Sequence, residues 1–213
     1  MDTIVSKPRF GTDGWRGIIG EDFNSFNCLL VVTSLLKLSP NLKKIIIGYD
    51  TRELSYEISI KIKKYLFNKG IDAILSSCPI PTPAVSFSVK NKGADLGIII
   101  TASHNSKIWN GIKIKNKYGQ SISESEASKL TKIIYKEKID IDEFNKFDLI
   151  DLKENDITDL LPDYINSIKK IIDINKIKNS KLSLIVDCMN GTSKSILEKI
   201  IGEGECKISE INN

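Results

Sequence analysis

The sequence predicts an α/β protein built on a parallel sheet, and three observations carry that reading. Apolar runs such as Ile45-Ile46-Ile47 and Leu96-Gly97-Ile98-Ile99-Ile100 are continuous rather than alternating, as strands covered on both faces must be. Segments with apolar residues at helical spacing separate them. Each run empties into a polar turn, which is where ligands gather in open parallel sheets.

Taken in order, the first strand covers residues 45–49 after Pro40 and ends in Asp50-Thr51-Arg52. Leu54, Ile58, Ile62 and Leu66 recur every four residues and predict a helix that Gly70 stops in a left-handed conformation. A strand over 71–75 follows. Pro79, Pro81 and Pro83 then make a rigid turn, with Pro83 opening a helix that runs to about Lys92. Residues 96–101 form the third strand, ending in Ala102-Ser103-His104-Asn105. Ser123 and Glu126 stand at capping-box spacing, so a helix is expected to about Glu137 with Leu130, Ile133 and Ile134 inward. Strand and helix thus alternate three times, the pattern of a right-handed α/β unit.

From about 139 to 158 the chain is acidic and aperiodic and reads as a connector. Beyond it, Tyr164, Ile165, Ile168, Ile171 and Ile172 mark a helix, residues 182–186 a buried strand, and Ile196, Leu197, Ile200 and Ile201 a second helix after Asp187-Cys188-Met189-Asn190-Gly191. The expected division is a first domain over 1–138, a linker over 139–158 and an incomplete second domain over 159–213. One strand and two helices do not close a domain.

At 213 residues the chain exceeds a typical domain of roughly 100 to 150. The net charge of +4 is spread thinly, which suits small anions and argues against a nucleic-acid partner. The longest apolar runs span about five residues, far short of the ~20 that cross a bilayer, and the start lacks a leader pattern. A cytoplasmic protein with no membrane partner is expected. Cys28, Cys78, Cys188 and Cys206 form no C-x-x-C pair, so neither a disulfide framework nor a zinc knuckle is expected.

Two segments carry chemistry. Thr101-Ala102-Ser103-His104-Asn105 closes a buried strand and is followed by Asn110-Gly111-Ile112-Lys113-Ile114, with the single histidine beside the serine. A hydroxyl at a strand end, with backbone N–H groups, an imidazole and an ammonium nearby, can accept and return a phosphoryl group. The segment Arg9-Phe10-Gly11-Thr12-Asp13-Gly14-Trp15-Arg16-Gly17 adds glycines that admit an anion to the backbone and arginines that fork onto phosphate. A serine hydrolase is the rival, but it normally needs G-x-S-x-G and a base approaching from elsewhere in the fold.

Together these motifs resemble those of the α-D-phosphohexomutases, the phosphoglucomutase/phosphomannomutase family. Gly48-Tyr49-Asp50-Thr51-Arg52 and Pro81-Thr82-Pro83-Ala84-Val85-Ser86-Phe87 resemble further landmarks in the family's order, so the resemblance runs from about Arg9 to Gly191. It implies an α/β/α layered domain with a mixed, mainly parallel sheet, followed by the beginning of a second similar domain. It implies a phosphohexomutase that interconverts hexose 1-phosphate and hexose 6-phosphate. Ser103 would be the phosphorylated serine, donating to a sugar monophosphate and recovering a phosphoryl group from glucose or mannose bisphosphate.

The same resemblance gives proton-transfer and charge-stabilising roles to His104 and Lys113, places Arg16 beside the phosphoserine, and makes Arg9, Thr12, Asn105 and Arg52 substrate or phosphate contacts. It implies Mg²⁺ held by the Ser103 phosphate and three aspartates of a D-G-D-x-D-R loop. The sequence has no such loop, and Asp140-Ile141-Asp142-Glu143 reads as solvated connector. The resulting expectation is a fragment with little activity alone, either one chain of a split enzyme that pairs with a chain carrying the missing domains or a non-catalytic phosphosugar binder. Ser106-Lys107 stands where the family commonly has two prolines, and Trp15 resembles the phosphoglucomutase/phosphomannomutase branch more than the phosphoglucosamine branch.

Overall fold

The computed structural model describes residues 6–138 and 157–213. Six strands form one sheet: β1 (Trp15–Ile18), β2 (Lys44–Tyr49), β3 (Asp72–Ser76), β4 (Leu96–Ile100), β5 (Trp109–Asn116) and β6 (Ile157–Thr158). Their spatial order is β1-β5-β4-β2-β3-β6. β4, β2, β3 and β6 are parallel, whereas β5 runs antiparallel to both β4 and β1. The sheet is mixed because the chain returns directly from β4 into β5 without a helix, so the Asn110–Lys113 segment is itself a strand.

The continuous apolar runs are explained by layers on both faces. Side chains alternate along a strand, and Ile45, Ile47, Ile98 and Ile100 join one core cluster while Ile46 and Ile99 join the other. Helices α1 (Ser25–Leu38), α2 (Ser55–Asn68) and α4 (Glu124–Lys136) supply the first cluster and α3 (Thr82–Asn91) the second. Ser123 caps α4 with a full capping box, and Gly70 follows α2 at φ +73°. Ala127, Leu130 and Ile134 are the buried side chains of α4, while Ile133 is half-buried. Sequence periodicity misses α1, whose Cys28-Leu29-Leu30-Val31-Val32 run is buried at every position and shows no polar stripe.

The expected connector ends differently. Residues 139–156, including Asp140-Ile141-Asp142-Glu143, lie outside the described residues. Ile157–Thr158 extends the first sheet beside β3, and α5 (Leu161–Lys169) packs Leu161 and Ile165 into the α3 layer. This part of the chain thus pairs with and packs against the first sheet. The helix also stops at Lys169, leaving Ile171 85% exposed, because its apolar spacing outruns the surface available to cover it.

The remaining chain holds α6 (Ile174–Lys178), β7 (Ser183–Asp187), α7 (Ile196–Ile201) and β8 (Lys207–Ile211). β7 and β8 pair in parallel across α7, a crossover unit whose second strand the sequence reading missed. β7 was expected to be buried, yet Ile185 is 76% exposed. Ser183, Ile185 and Asp187 share an uncovered face, with Leu184 and Val186 half-buried between them. Among the described residues no helix is long and apolar enough to cross a membrane.

Candidate active site

Ser103 lies in the loop that joins β4 to β5, beyond the carboxyl ends of the parallel strands. Its backbone is left-handed at φ +59°, a costly conformation for a residue with a Cβ. The Ser103 N–H donates to Thr101 Oγ1 at 3.0 Å, and the Asn105 N–H donates to the Ala102 carbonyl at 3.2 Å. The side chain is exposed, with Oγ 3.4 Å from His104 Nδ1. That distance is long for a hydrogen bond but leaves the imidazole one small rotation from the hydroxyl.

The loop lines a cleft of about 1500 Å³. Its other walls are the turn after β1, the Asp50–Leu54 turn, Pro81–Pro83 and the Cys188–Thr192 loop after β7. Thr51 Oγ1 donates to the Asn190 carbonyl at 2.6 Å and ties two of those walls together.

A second group of charges stands beside this loop. Arg16 Nη1 donates to Asn105 Oδ1 at 2.7 Å and Nη2 to Asp13 Oδ2 at 2.7 Å. Lys113 Nζ, buried on β5, reaches both oxygens of Asp13 at 2.9 and 3.1 Å. Asp13 is the residue the sequence reading missed: it gathers Lys113 and Arg16, and Arg16 reaches the serine loop through Asn105. The Gly11 and Gly14 N–H groups do not face an anion. Each donates to the other's carbonyl, at 3.0 and 3.1 Å, forming a tight turn with Thr12 and Asp13 at its tip.

Partial burial pushes the Asp13 carboxyl upward, but hydrogen bonds and charge from Lys113 and Arg16 outweigh it and hold the pKa below the ordinary 3.8. Such a group binds fewer protons folded than unfolded, so its stabilisation is present above 3.8 and is lost as pH falls through the lower folded value. Melting temperature should therefore fall more steeply below that pH for the native chain than for Asp13→Asn. Parallel curves would contradict the triad.

Two of the expected phosphate contacts lie outside this cleft, and a third borders it. Arg9 and Thr12 line a separate depression against α4, with Glu124, Ser128 and Lys132, and do not line the Ser103 cleft. Arg52 borders the cleft but spends its guanidinium on the backbone: Nη1 donates to the Ser106 and Trp109 carbonyls, Nη2 to those of Ser103 and Asn105, and Nε faces Asp50 Oδ2 at 3.3 Å. All four Nη hydrogens are thus taken by backbone acceptors, and Nε faces a carboxylate. Among the described residues no group of three or more His, Cys, Asp or Glu side chains could hold a metal ion.

A family model described as phosphoglucomutase/phosphomannomutase, alpha/beta/alpha domain I, matches residues 7–140. The chain is 32% identical to a phosphoglucosamine mutase of Caldicellulosiruptor bescii over 96% of its own length and 45% of that protein's. It is 29% identical to a phosphoglucosamine/phosphogalactosamine mutase of Sulfurisphaera tokodaii, over 95% and 44%. Among solved structures, a protein from Thermus thermophilus assigned as a phosphomannomutase superposes with a TM-score of 0.78 at 26% identity, covering 96% of this chain and 46% of that one. The Paramecium phosphoglucomutase parafusin shares the fold at a TM-score of 0.80 and 21% identity, over 98% and 44%. The chain thus spans somewhat under half the length of the curated relatives it matches. Those names divide between the phosphoglucosamine branch and the phosphoglucomutase/phosphomannomutase branch that Trp15 resembles, and Trp15 itself is a core side chain whose ring lies 5.8 Å from that of Phe23.

Proposed function

Because the chain belongs to the phosphoglucomutase/phosphomannomutase family and carries its α/β/α first domain, we propose that it supplies the phosphoserine half of a phosphohexomutase site. The carrying observation is the Ser103 hydroxyl, exposed in the cleft on a backbone that is clamped from behind while its own oxygen stays open. In the proposed step a sugar bisphosphate loses a phosphoryl group to Ser103: the P–Oγ bond forms, the sugar P–O bond breaks, and the serine proton passes through a base to the departing sugar oxygen. In the return step Ser103 gives the group to the other hydroxyl of a reoriented monophosphate.

His104 stands where it can take or return that proton. Arg16 and Lys113 supply positive charge that is already oriented by Asp13 before substrate arrives, the form of stabilisation that costs least reorganisation. Asn105 fixes Arg16 to the loop. The substrates are hexose 1- and 6-phosphates, and the relatives' names favour the 2-amino sugars among them. Four free cysteines suit a reducing, cytoplasmic setting.

The Mg²⁺ implied by the resemblance does not fit the described residues. Ser103 offers one oxygen, Asp13 is committed to Lys113 and Arg16, and Asp50 to Arg52 and Ser55. An octahedral shell there needs further oxygen ligands, and the sequence holds no D-G-D-x-D-R loop. We therefore expect this 213-residue chain, incubated with glucose 1,6-bisphosphate and Mg²⁺, to gain one phosphoryl group by intact mass but to convert little glucose 1-phosphate to glucose 6-phosphate. Ser103→Ala should gain none. Labelling of Ser103 by a fluorophosphonate in place of phosphoryl uptake would favour a hydrolase instead.

A further inference from the structure

We propose that Arg52 is a positioning residue that sets the backbone of the serine loop, and so the place of the Ser103 hydroxyl, without itself touching substrate. The consequence for phosphoryl transfer rests on the phosphoserine reading given above. The geometric part does not.

Four loop carbonyls converge on one guanidinium: Ser103 at 2.9 Å, Asn105 at 2.6 Å, Ser106 at 2.8 Å and Trp109 at 2.9 Å. A planar fork with fixed N–H directions can hold carbonyls from both ends of a loop at once, which a single ammonium on a flexible stem cannot. The fork is itself held. Asp50 Oδ2 faces its Nε, while Asp50 Oδ1 accepts from the Arg52 N–H and from Ser55 Oγ. Ser55 Oγ in turn accepts from the fully buried Asn110 at the far end of the loop. Arg52 is thus pinned to the first turn of α2 and to β5, and only its head reaches the loop.

The loop needs this support. A left-handed serine persists only where its surroundings over-determine it. The loop has two internal backbone bonds, Asn105 N–H to Ala102 and Trp109 N–H to Ser106, and carries Ser106-Lys107 rather than proline at its tip. The rigidity that prolines would give through the backbone is supplied here by a side chain of the neighbouring β2–α2 turn.

The test compares Arg52→Lys and Arg52→Ala with the native full chain by amide hydrogen exchange and by phosphoryl uptake from glucose 1,6-bisphosphate. Exchange over residues 103–109 should accelerate about tenfold or more in Arg52→Lys while β2, β4 and α2 keep their protection. The maximal rate of Ser103 phosphorylation should fall at least about tenfold in both variants, with the half-saturating bisphosphate concentration unchanged within about twofold. Native loop exchange in Arg52→Lys would overturn the proposal, as would a raised half-saturation with an unchanged maximal rate, which is the mark of a phosphate grip. If the native chain takes up no phosphoryl group but the loop still loosens in Arg52→Lys, the positioning claim stands and the phosphoserine reading falls.

Discussion

Replacing Gly14 with alanine is expected to destabilise the chain by about 3 kcal/mol or more and to remove phosphoryl uptake at Ser103. Two independent faults combine at this position. Its φ of +101° lies where L side chains are strained. A Cβ there would also overlap the carbonyl oxygen of Ile112 and stand 3.1 Å from the Lys113 Cα, both of them backbone that cannot swing away. Relief requires β1 and its turn to lift off β5, and Asp13 and Arg16 flank that point. The 2.9 Å bond from Lys113 to Asp13 then breaks and Arg16 moves with it. Gly20 separates the causes: its φ is +83°, yet a Cβ there meets nothing within 4 Å. Gly20→Ala should cost only the conformational part, about 1 kcal/mol. Urea unfolding of both variants measures the difference, and equal losses would contradict the steric account.

Replacing Lys113 with methionine keeps most of the stem and removes the charge. Uptake at Ser103 is expected to fall about a hundredfold, the scale of losing one oriented stabilising group. Part of that loss has a specific origin, because Asp13 would be left with Arg16 alone and its carboxylate would oppose an incoming phosphate. Removing one member of a charge pair commonly costs more than removing both. The double variant Asp13→Asn with Lys113→Met should therefore recover about tenfold over the single one. Rates that are the same in the single and double variants would show that Asp13 exerts no field at the serine.

These two predictions depend on features of different legibility. The β2, α2, β3, α3 and β4 elements could be read from the chain because each is short, apolar on a regular period and closed by proline, glycine or a polar turn. The place of Ser103 could be read because a polar turn closes the apolar β4 run, and its phosphoryl-carrying role is the reading proposed above. α1 could not, since burial on all sides erases the polar stripe that marks a helix. Asp13 gave no signal because its partner Lys113 lies 100 residues away. The partners of Arg52 were hidden for a related reason. An arginine in a polar turn near a phosphate motif reads as a phosphate ligand, while its actual partners are carbonyls 51 to 57 residues along the chain, which no sequence pattern displays. Backbone acceptors are present at every residue, so only the fold says which ones meet a given fork. The exposed Ile185 is the opposite case, since a buried-strand pattern tells what a side chain prefers and not what is there to cover it.

The central claim is that Ser103, and not the adjacent His104, carries the phosphoryl group. Fragmentation mass spectrometry of the chain after exposure to glucose 1,6-bisphosphate, with one aliquot quenched in acid and one in cold, mildly basic buffer, addresses it directly, because a phosphoserine survives both treatments and a phosphohistidine is lost in acid. The account predicts equal phosphoryl content in both aliquots, localised wholly to Ser103. A modification that appears only in the base-quenched aliquot and maps to His104 would contradict it.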